Sequence, residues 1–339
     1  MNETLDLIVV GAGPTGISIG AEARRQGLSV LLVDRGPLTA AIQGYPTFME
    51  FFTTRDRLEI ANVPFSIPDS KPTRRQALAY YRMVVEHYGI PLALYEEVLE
   101  VRKEGEEFVV HTRRMHGNGE RTLRARSVAI ATGYFFNPRR LGAPGEDLPW
   151  VYHRYTEPYP HFGQDVVVIG AGNTASEAAL DMWRNGGVKV TLVHRGAALK
   201  PGVKYWLKPD VENRIEEGSI PAFFNTQVRA FLPEGAVELA TPEGPKVLPC
   251  QAAFVLIGYT PDADFERRCG VEVDSETLVP THNPETCESN VPGLYVAGTL
   301  QAGRWTDRIF IENSRDHGPK IVAHLKSRLA ALPVSSAAR

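Results

Sequence analysis

Three glycines near the amino terminus have the spacing that a dinucleotide requires. Gly11, Gly13 and Gly16 follow a short apolar run and precede a stretch of helical composition. In such a turn the first glycine permits a tight bend, the second lets the backbone approach a pyrophosphate, and the third lets helix and strand pack closely. Asp34 follows at about the twenty-residue distance at which a carboxylate binds a ribose diol. The alternative is an ordinary βα turn; the order of strand, helix, second strand and acid favours a nucleotide site.

A second glycine turn, at residues 170–175 (GAGNTA), repeats this arrangement in the middle of the chain, with a predicted strand over 165–169 before it and a helix over 176–184 and a strand over 189–193 after it. The strand after it ends in His194 and Arg195 rather than in an acid. An arginine binds a 2′-phosphate in a bidentate manner, which a carboxylate would repel. We therefore expect NADPH rather than NADH at this site, with Lys200 and Lys204 adding positive charge. The alternative is that Arg195 is a solvated charge at the end of a strand.

Cysteines and histidines offer few candidates for further chemistry. The three cysteines, Cys250, Cys269 and Cys287, are scattered and form no Cys-x-x-Cys pair. This argues against a disulfide framework and against a metal site, and none lies beside a cationic cluster that would lower its pKa. We expect all three to be inert. His317 on the last predicted helix has the chemistry of a proton donor, and helix packing is the alternative.

The elements that must position these residues alternate between strand and helix. The first glycine turn joins a strand over 5–10 to a helix over about 17–26 and a strand over 29–33. Alternating segments between 92 and 126 predict a β-meander. The segments 128–133 and 252–258 mirror each other, so the internal repeat extends beyond the glycine turns. A buried strand over 291–299 and a helix over about 309–329 complete the pattern.

A loop-rich segment over 35–70 carries aromatic residues that include Tyr45, Phe48 and Phe51. These side chains would either form a wall for a flat ring cofactor or cover the edge of the sheet.

Bulk properties exclude several classes of function. The chain has 339 residues, which suffices for two domains, and a net charge of −3, which gives no indication of a nucleic-acid partner. No apolar run approaches the ~18 residues of a membrane span, and no basic segment with an apolar signal region precedes the first strand. We expect a cytoplasmic protein with neither a membrane nor a nucleic-acid partner.

The paired glycine turns, together with 131–133 (ATG), 257–258 (IG) and 293–298 (GLYVAG), resemble the two-dinucleotide flavoproteins of the thioredoxin reductase type. The resemblance implies an α/β fold of two Rossmann-like, three-layer ββα domains. In it the first turn holds FAD, the second holds NADPH, and the NADPH domain is inserted in the FAD domain. We predict FAD-binding parts over 1–145 and 266–339 and an NADPH-binding domain over 146–265.

The resemblance also implies which residues contact each cofactor, with FAD contacts from both ends of the chain. The predicted FAD-binding residues are Gly11, Gly13, Pro14, Thr15, Gly16, Asp34, Arg35, Tyr45, Val98, Ala131, Thr132, Gly133, Gly298, Thr299 and Ile311. The predicted NADPH-binding residues are Gly170, Gly172, Asn173, Thr174, His194, Arg195 and Gly258. The last helix would direct its N-terminus at the flavin and stabilise the reduced, anionic form.

A narrower resemblance connects three segments to the bacillithiol disulfide reductase (YpdA) family, which uses NADPH and FAD to reduce a low-molecular-weight disulfide. The segments are GYPTFMEFFTTRDRLEIANVPF, HRYTEPYPHFGQDVVVIGAGNTASEAAL and AGTLQAGRWTDRIFIENSRDHG. That family typically has a cysteine, proposed to be catalytic, at the position of Thr15. Thr15 cannot form a mixed disulfide, so the catalytic group stays unidentified.

We therefore predict an NADPH-dependent FAD oxidoreductase, a homo-oligomer by family resemblance, whose acceptor is a small-molecule disulfide or a small redox protein. A ferredoxin or flavodoxin NADP reductase is the main alternative, because it shares the scaffold and needs no cysteine. A flavin monooxygenase is disfavoured because the glycine-spaced lead-in of its linker is missing. A redox sensor is disfavoured because both nucleotide turns are intact.

Overall fold

A computed structural model describes residues 4–117 and 119–331. Its backbone divides into two compact units. The first contains residues up to 43, residues 49–137 and residues from 260 on, and the second contains 44–48 and 138–259. The chain thus passes between units several residues before the boundaries expected at 145/146 and 265/266. The assignment of each unit to one nucleotide stays a prediction.

Strands and helices alternate around the two glycine turns, and a run of consecutive strands occurs in each unit. The described strands are β1 (Leu7–Val10), β2 (Val30–Asp34), β3 (Leu92–Leu94), β4 (Glu96–Glu104), β5 (Glu107–Arg114), β6 (Glu120–Ala125), β7 (Val128–Ile130), β8 (Val151–Tyr152), β9 (Asp165–Ile169), β10 (Lys189–Val193), β11 (Ala222–Phe223), β12 (Gln227–Leu232), β13 (Ala236–Thr241), β14 (Gly244–Pro249), β15 (Ala252–Val255) and β16 (Leu294–Val296). The described helices are α1 (Pro14–Arg25), α2 (Ala40–Gln43), α3 (Arg55–Leu58), α4 (Arg74–Tyr88), α5 (Asn173–Gly186), α6 (Lys208–Glu216), α7 (Ala263–Arg268), α8 (Ile311–Ser314) and α9 (His317–Ala331).

The first unit is built on a parallel sheet of five strands in the order β16-β7-β1-β2-β3. The strand β1 is buried along its whole length, as expected of a parallel strand that is covered on both faces. Val10 at the end of β1 pairs with Val33 of β2 and with Ile130 of β7. Because the strands are parallel and in this register, the residues that follow each of them share one edge of the sheet.

Two further layers cover this sheet. The antiparallel sheet β4-β5-β6 contributes Val98 and Phe108 to an apolar core that also contains Ile8 and Val128 of the parallel sheet. On the helical side, α1 packs against β2, α4 and α9, and Gly20 of α1 lies against Leu32. The result is the three-layer ββα arrangement that the sequence predicts.

The carboxyl-terminal helix differs from the prediction of one helix over about 309–329. Two helical segments, α8 and α9, are separated by a turn. The hydroxyl of Ser314 donates a hydrogen bond to the Phe310 carbonyl at 2.7 Å at the end of α8. Beyond the turn, Gly318 packs on the backbone of Ser18, where a Cβ would lie 2.8 Å from the carbonyl oxygen. The helices α1 and α9 therefore cross closely just after the break, a contact that periodicity alone does not reveal.

The second unit repeats the same plan. Its parallel sheet has the order β11-β10-β9-β15-β8. The strands β12, β13 and β14, which come between β11 and β15 in the sequence, form a separate antiparallel sheet. The predicted strands over 165–169 and 189–193 coincide with β9 and β10. Both helices after the glycine turns begin three residues earlier than predicted, at Pro14 and Asn173.

Candidate functional site

The first glycine turn is shaped by close backbone contacts. Gly11 has a φ of +112°, and a Cβ there would lie 2.5 Å from the Ala131 carbonyl oxygen. A Cβ on Gly16 would lie 2.0 Å from the carbonyl oxygen of Gly11. At Gly13, by contrast, no atom of the described residues comes within 4 Å of that position. The turn is therefore closed on the protein side and open at the one glycine where a pyrophosphate must approach.

The helix α1 begins directly at this opening. Gly13 is its N-cap, and no side chain of the described residues caps it. The N–H groups of the first helical turn have no partner within the helix, and the helix dipole adds partial positive charge there. Pro14 at the first helical position has no N–H to satisfy. The end of α1 is thus suited to bind an anion such as a dinucleotide pyrophosphate.

Asp34, at the end of β2, ties the turn to the following loop. One carboxylate oxygen accepts a hydrogen bond from the N–H of Ala12 at 2.7 Å, and the other accepts one from the N–H of Gly36 at 2.8 Å. Burial raises the pKa of Asp34, and these two hydrogen bonds oppose the shift. Since a carboxylate has about four acceptor sites, two bonds leave capacity for a ribose diol.

The distant end of the chain returns to the same edge of the sheet. Gly298 follows β16 with a φ of +74°, and a Cβ there would lie 2.8 Å from the Thr15 hydroxyl oxygen. The hydroxyl oxygens of Thr15 and Ser314 are 3.4 Å apart. The hydroxyl oxygen of Thr299 lies 3.5 Å from the Cβ position of Gly133, whose φ is +65°. The structure therefore brings together predicted FAD contacts from both ends of the chain.

The other predicted FAD contacts belong to different parts of the chain. Tyr45 belongs to the second unit, and burial raises its pKa to about 12. The Val98 side chain is buried in the apolar core, so only its backbone is left to contact a cofactor. The Arg35 guanidinium lies over the ring of Phe136, 5.4 Å from its centre. Ile311 is the first residue of α8. These assignments stay predictions.

The second glycine turn has the same construction. Gly170 has a φ of +141°, and a Cβ there would lie 2.4 Å from the Leu256 carbonyl oxygen. Gly172 is the N-cap of α5, with no capping side chain among the described residues. The nearest described atom to a Cβ on Gly172 is Cδ of Lys200, at 3.9 Å. Thr174 on the first turn of α5 is exposed. This end of α5 is also suited to bind a pyrophosphate.

A loop after β10 folds back over this second turn. The N–H of Lys200 donates to the Ala171 carbonyl at 3.0 Å, and the N–H of Lys204 donates to Oδ1 of Asn173 at 2.9 Å. The sequence did not distinguish the two lysines. In the structure, Lys204 is paired with Glu177, whereas no carboxylate in 4–117 or 119–331 forms an ion pair with Lys200. The Pro-Gly pair between the two lysines, a turn signal, is the one sequence feature that points to this loop.

Positive charge gathers where β10 ends. Arg195 is exposed, and Lys200 lies close enough to affect His194. Burial lowers the pKa of His194, and Lys200 and Arg195 lower it further. Gly258, which has a φ of +102°, follows β15, a strand of the same sheet that is separated from β10 by β9. The group can neutralise a phosphate on a nucleotide bound at the second turn.

The cysteines are buried and unactivated. Burial raises the pKa of the Cys250 thiol to about 11 and that of the Cys269 thiol to about 12, and it also raises the pKa of Cys287. A thiol must ionise to act as a nucleophile. Among the described residues, no group of His, Cys, Asp and Glu side chains could hold a metal ion. Nor does any helix in that part of the chain have the length and apolar character needed to cross a membrane.

Comparison with known proteins agrees with this geometry. The pattern of the family described as pyridine nucleotide-disulphide oxidoreductase matches residues 8–298. Bacilliredoxin reductase Bdr of Bacillus subtilis is 37% identical over 328 residues, which cover 95% of this chain and 97% of that protein. A ferredoxin–NADP reductase of Ignicoccus hospitalis is 27% identical over 87% of this chain and 90% of its own.

Among solved structures, bacillithiol disulfide reductase Bdr (YpdA) from Bacillus cereus superimposes with a TM-score of 0.92 at 34% identity, covering 96% of this chain and 100% of that one. The resemblance read from the sequence is therefore confirmed, as are the enzyme class and the use of FAD and a nicotinamide nucleotide. The chain belongs to the pyridine nucleotide-disulphide oxidoreductase family, in the group that contains the Bdr (YpdA) reductases.

Proposed function

We propose that this protein is an NADPH-dependent FAD oxidoreductase that reduces the disulfide of a low-molecular-weight thiol, of the bacillithiol disulfide type. The observation that carries the proposal is the match to the Bdr reductases along nearly the whole chain. Two nucleotide turns open at Gly13 and Gly172 support it. FAD at the first turn would supply the redox chemistry, and the protein would bind and orient both nucleotides.

The choice of NADPH is supported by charge. Arg195 follows the end of β10, where an acid would repel a 2′-phosphate and an arginine can bind it. The first turn differs, because the strand that follows it ends in Asp34, whose carboxylate accepts a hydrogen bond from the N–H of Ala12 in the turn.

A second candidate, a ferredoxin or flavodoxin NADP reductase, is favoured by one observation. Thr15 stands where the family typically has a cysteine, and the three cysteines of the chain are buried with raised pKa values. A one-electron carrier protein needs no thiol on the enzyme. The overall similarity to the Bdr reductases still favours the disulfide.

An anaerobic acceptor screen on FAD-loaded protein tests the proposal. NADPH should bleach the flavin, and bacillithiol disulfide should restore its colour with turnover, whereas oxidised flavodoxin or ferredoxin should not. The reverse pattern would select the second candidate. A reduced flavin that no acceptor in the screen reoxidises, and that regains its colour only when air is admitted, would contradict both.

The protein is further proposed to be a cytoplasmic homo-oligomer. Family resemblance supports this, and large side chains such as Phe162 and Tyr205, which are 78% and 84% exposed, are available for subunit contacts. Light scattering on the FAD-loaded protein should give a mass of at least two chains, and a monomer across the micromolar range would contradict it.

A further inference from the structure

His317 connects the last helix to the loop that follows β16. It is the first residue of α9, and only 6% of its surface is exposed. Its Nδ1 accepts a hydrogen bond from the N–H of Gly298 at 3.0 Å. A ring nitrogen that accepts from an N–H carries no proton, so the neutral ring holds its proton on Nε2.

The surroundings keep this ring neutral. Burial lowers the pKa of His317 to about 4. Of the charged groups that act on the ring, Lys320 and His282 lower the pKa further, and Asp316 opposes them. The acceptor on Nδ1 is therefore present throughout the physiological pH range, and the ring does not exchange a proton there.

Gly298, which His317 holds by this hydrogen bond, is also confined by contacts with other residues. Gly298 lies against Thr15 of α1, and its positive φ favours glycine. The next residue, Thr299, lies against Gly133 at the end of β7. Gly298 is therefore the point where chain segments from α1, β7 and β16 meet at the edge of the first sheet.

We propose that His317 is a positioning residue for FAD: Nδ1 holds the Gly298 backbone in the conformation that places residues 298 and 299 against the cofactor. The proposal rests on FAD binding at the first glycine turn, as inferred above. It assigns His317 neither to proton donation nor to helix packing alone. The helix α9 offers a control for packing, because His324 of the same helix makes a similar hydrogen bond, at 3.0 Å, with the hydroxyl of Tyr295.

FAD affinity of the apo-protein, measured by quenching of flavin fluorescence, tests the proposal. His317→Asn keeps an acceptor near the position of Nδ1, His317→Gln displaces it by one carbon, and His317→Leu removes it. We expect the leucine and glutamine variants to bind FAD about tenfold more weakly, and the asparagine variant to bind within about threefold of the parent protein. His324→Leu should lower the melting temperature and leave FAD affinity within about twofold.

The outcomes separate this proposal from the function proposed above. If the parent apo-protein does not bind FAD, the proposed function fails first. If it binds FAD and His317→Gln binds as tightly as His317→Asn, the positioning role is wrong. Equal losses of FAD affinity in His317→Leu and His324→Leu would likewise show that His317 contributes only to packing. The asparagine–glutamine comparison decides the question even if the leucine variant does not fold.

Discussion

The ammonium of Lys204 lies 2.5 Å from a carboxylate oxygen of Glu177, so the charge of this lysine is compensated within the protein. Lys200, four residues earlier in the same loop, forms no ion pair within the described residues, and its side chain passes over Gly172. The two lysines are thus alike in sequence and different in the charge that they present to a nucleotide at the second turn.

Lys200→Gln should raise the KM for NADPH by about five- to tenfold, because it removes an uncompensated charge beside the pyrophosphate position. The KM for NADH should rise by a similar factor, since both nucleotides carry the pyrophosphate. Steady-state kinetics with each nucleotide measures this.

Lys204→Gln is the matched control, and its KM values should stay within about twofold of the parent. A larger effect of Lys204→Gln than of Lys200→Gln would contradict the assignment. Calorimetric titration with NADP⁺ checks that the kinetic change reflects binding.

Arg195→Ala should raise the KM for NADPH by about tenfold, through loss of a charge-assisted contact to the 2′-phosphate. The KM for NADH, which lacks that phosphate, should change little. Lys189 begins the same strand at the opposite edge of the sheet and is exposed, so Lys189→Ala serves as the control. Equal changes for the two nucleotides in Arg195→Ala would remove the argument for NADPH selectivity.

Local patterns predicted the strands and glycine turns of both units well. The strands β9 and β10 coincide with the predicted segments, because short apolar runs between glycine turns leave one arrangement in a parallel sheet. Gly11 and Gly170 have the positive φ that their positions in the turns require and that glycine adopts without strain. These features depend on residues that are close together in the chain, and so the local sequence is sufficient to predict them.

Features that depend on distant contacts were missed. The break between α8 and α9 lies next to the place where Gly318 packs on Ser18, which is about 300 residues away in sequence. Helical periodicity continues through that break, so the pattern predicts one helix. The hydrogen bond from Gly298 to His317, and the different environments of Lys200 and Lys204, likewise arise only once the chain has folded.

Alkylation should leave the enzyme active. All three cysteines are buried, and burial raises each thiol pKa, so the reactive thiolate is scarce near neutral pH. N-ethylmaleimide applied to NADPH-reduced protein should leave kcat within about twofold. Thiol titration supplies the control, with no reactive thiol in the native protein and all three in urea. Loss of activity in step with one modified cysteine would show that a thiol takes part.

The carboxyl group of Glu266 on α7 should make stability depend on pH. The residue is fully buried, and neither carboxylate oxygen has a hydrogen-bond partner among the described residues. Burial, with Asp262 adding to it and Arg267 opposing it, raises the pKa of Glu266 from its ordinary 4.5 to about 8. Between these values the folded protein keeps a proton that the unfolded chain has lost, so stability is greatest at low pH and falls as pH rises through about 8.

Glu266→Gln replaces this titrating group by a neutral one of the same shape. We expect the variant and the parent to melt at similar temperatures near about pH 4.5, where the carboxyl is protonated in the folded state and still about half protonated in the unfolded chain. The melting temperature of the variant should then exceed that of the parent increasingly as the pH rises, and by several degrees above about pH 8. Differential scanning fluorimetry across this range, on FAD-loaded protein, measures the difference. Glu272→Gln, an exposed carboxyl in the same unit, should reproduce the parent's pH profile. If the melting temperatures of the parent and of Glu266→Gln change in parallel with pH, the prediction is wrong. Only a group that changes charge between these pH values can separate the two curves. Parallel curves would mean that the Glu266 carboxyl has a partner in solution and stays ionised.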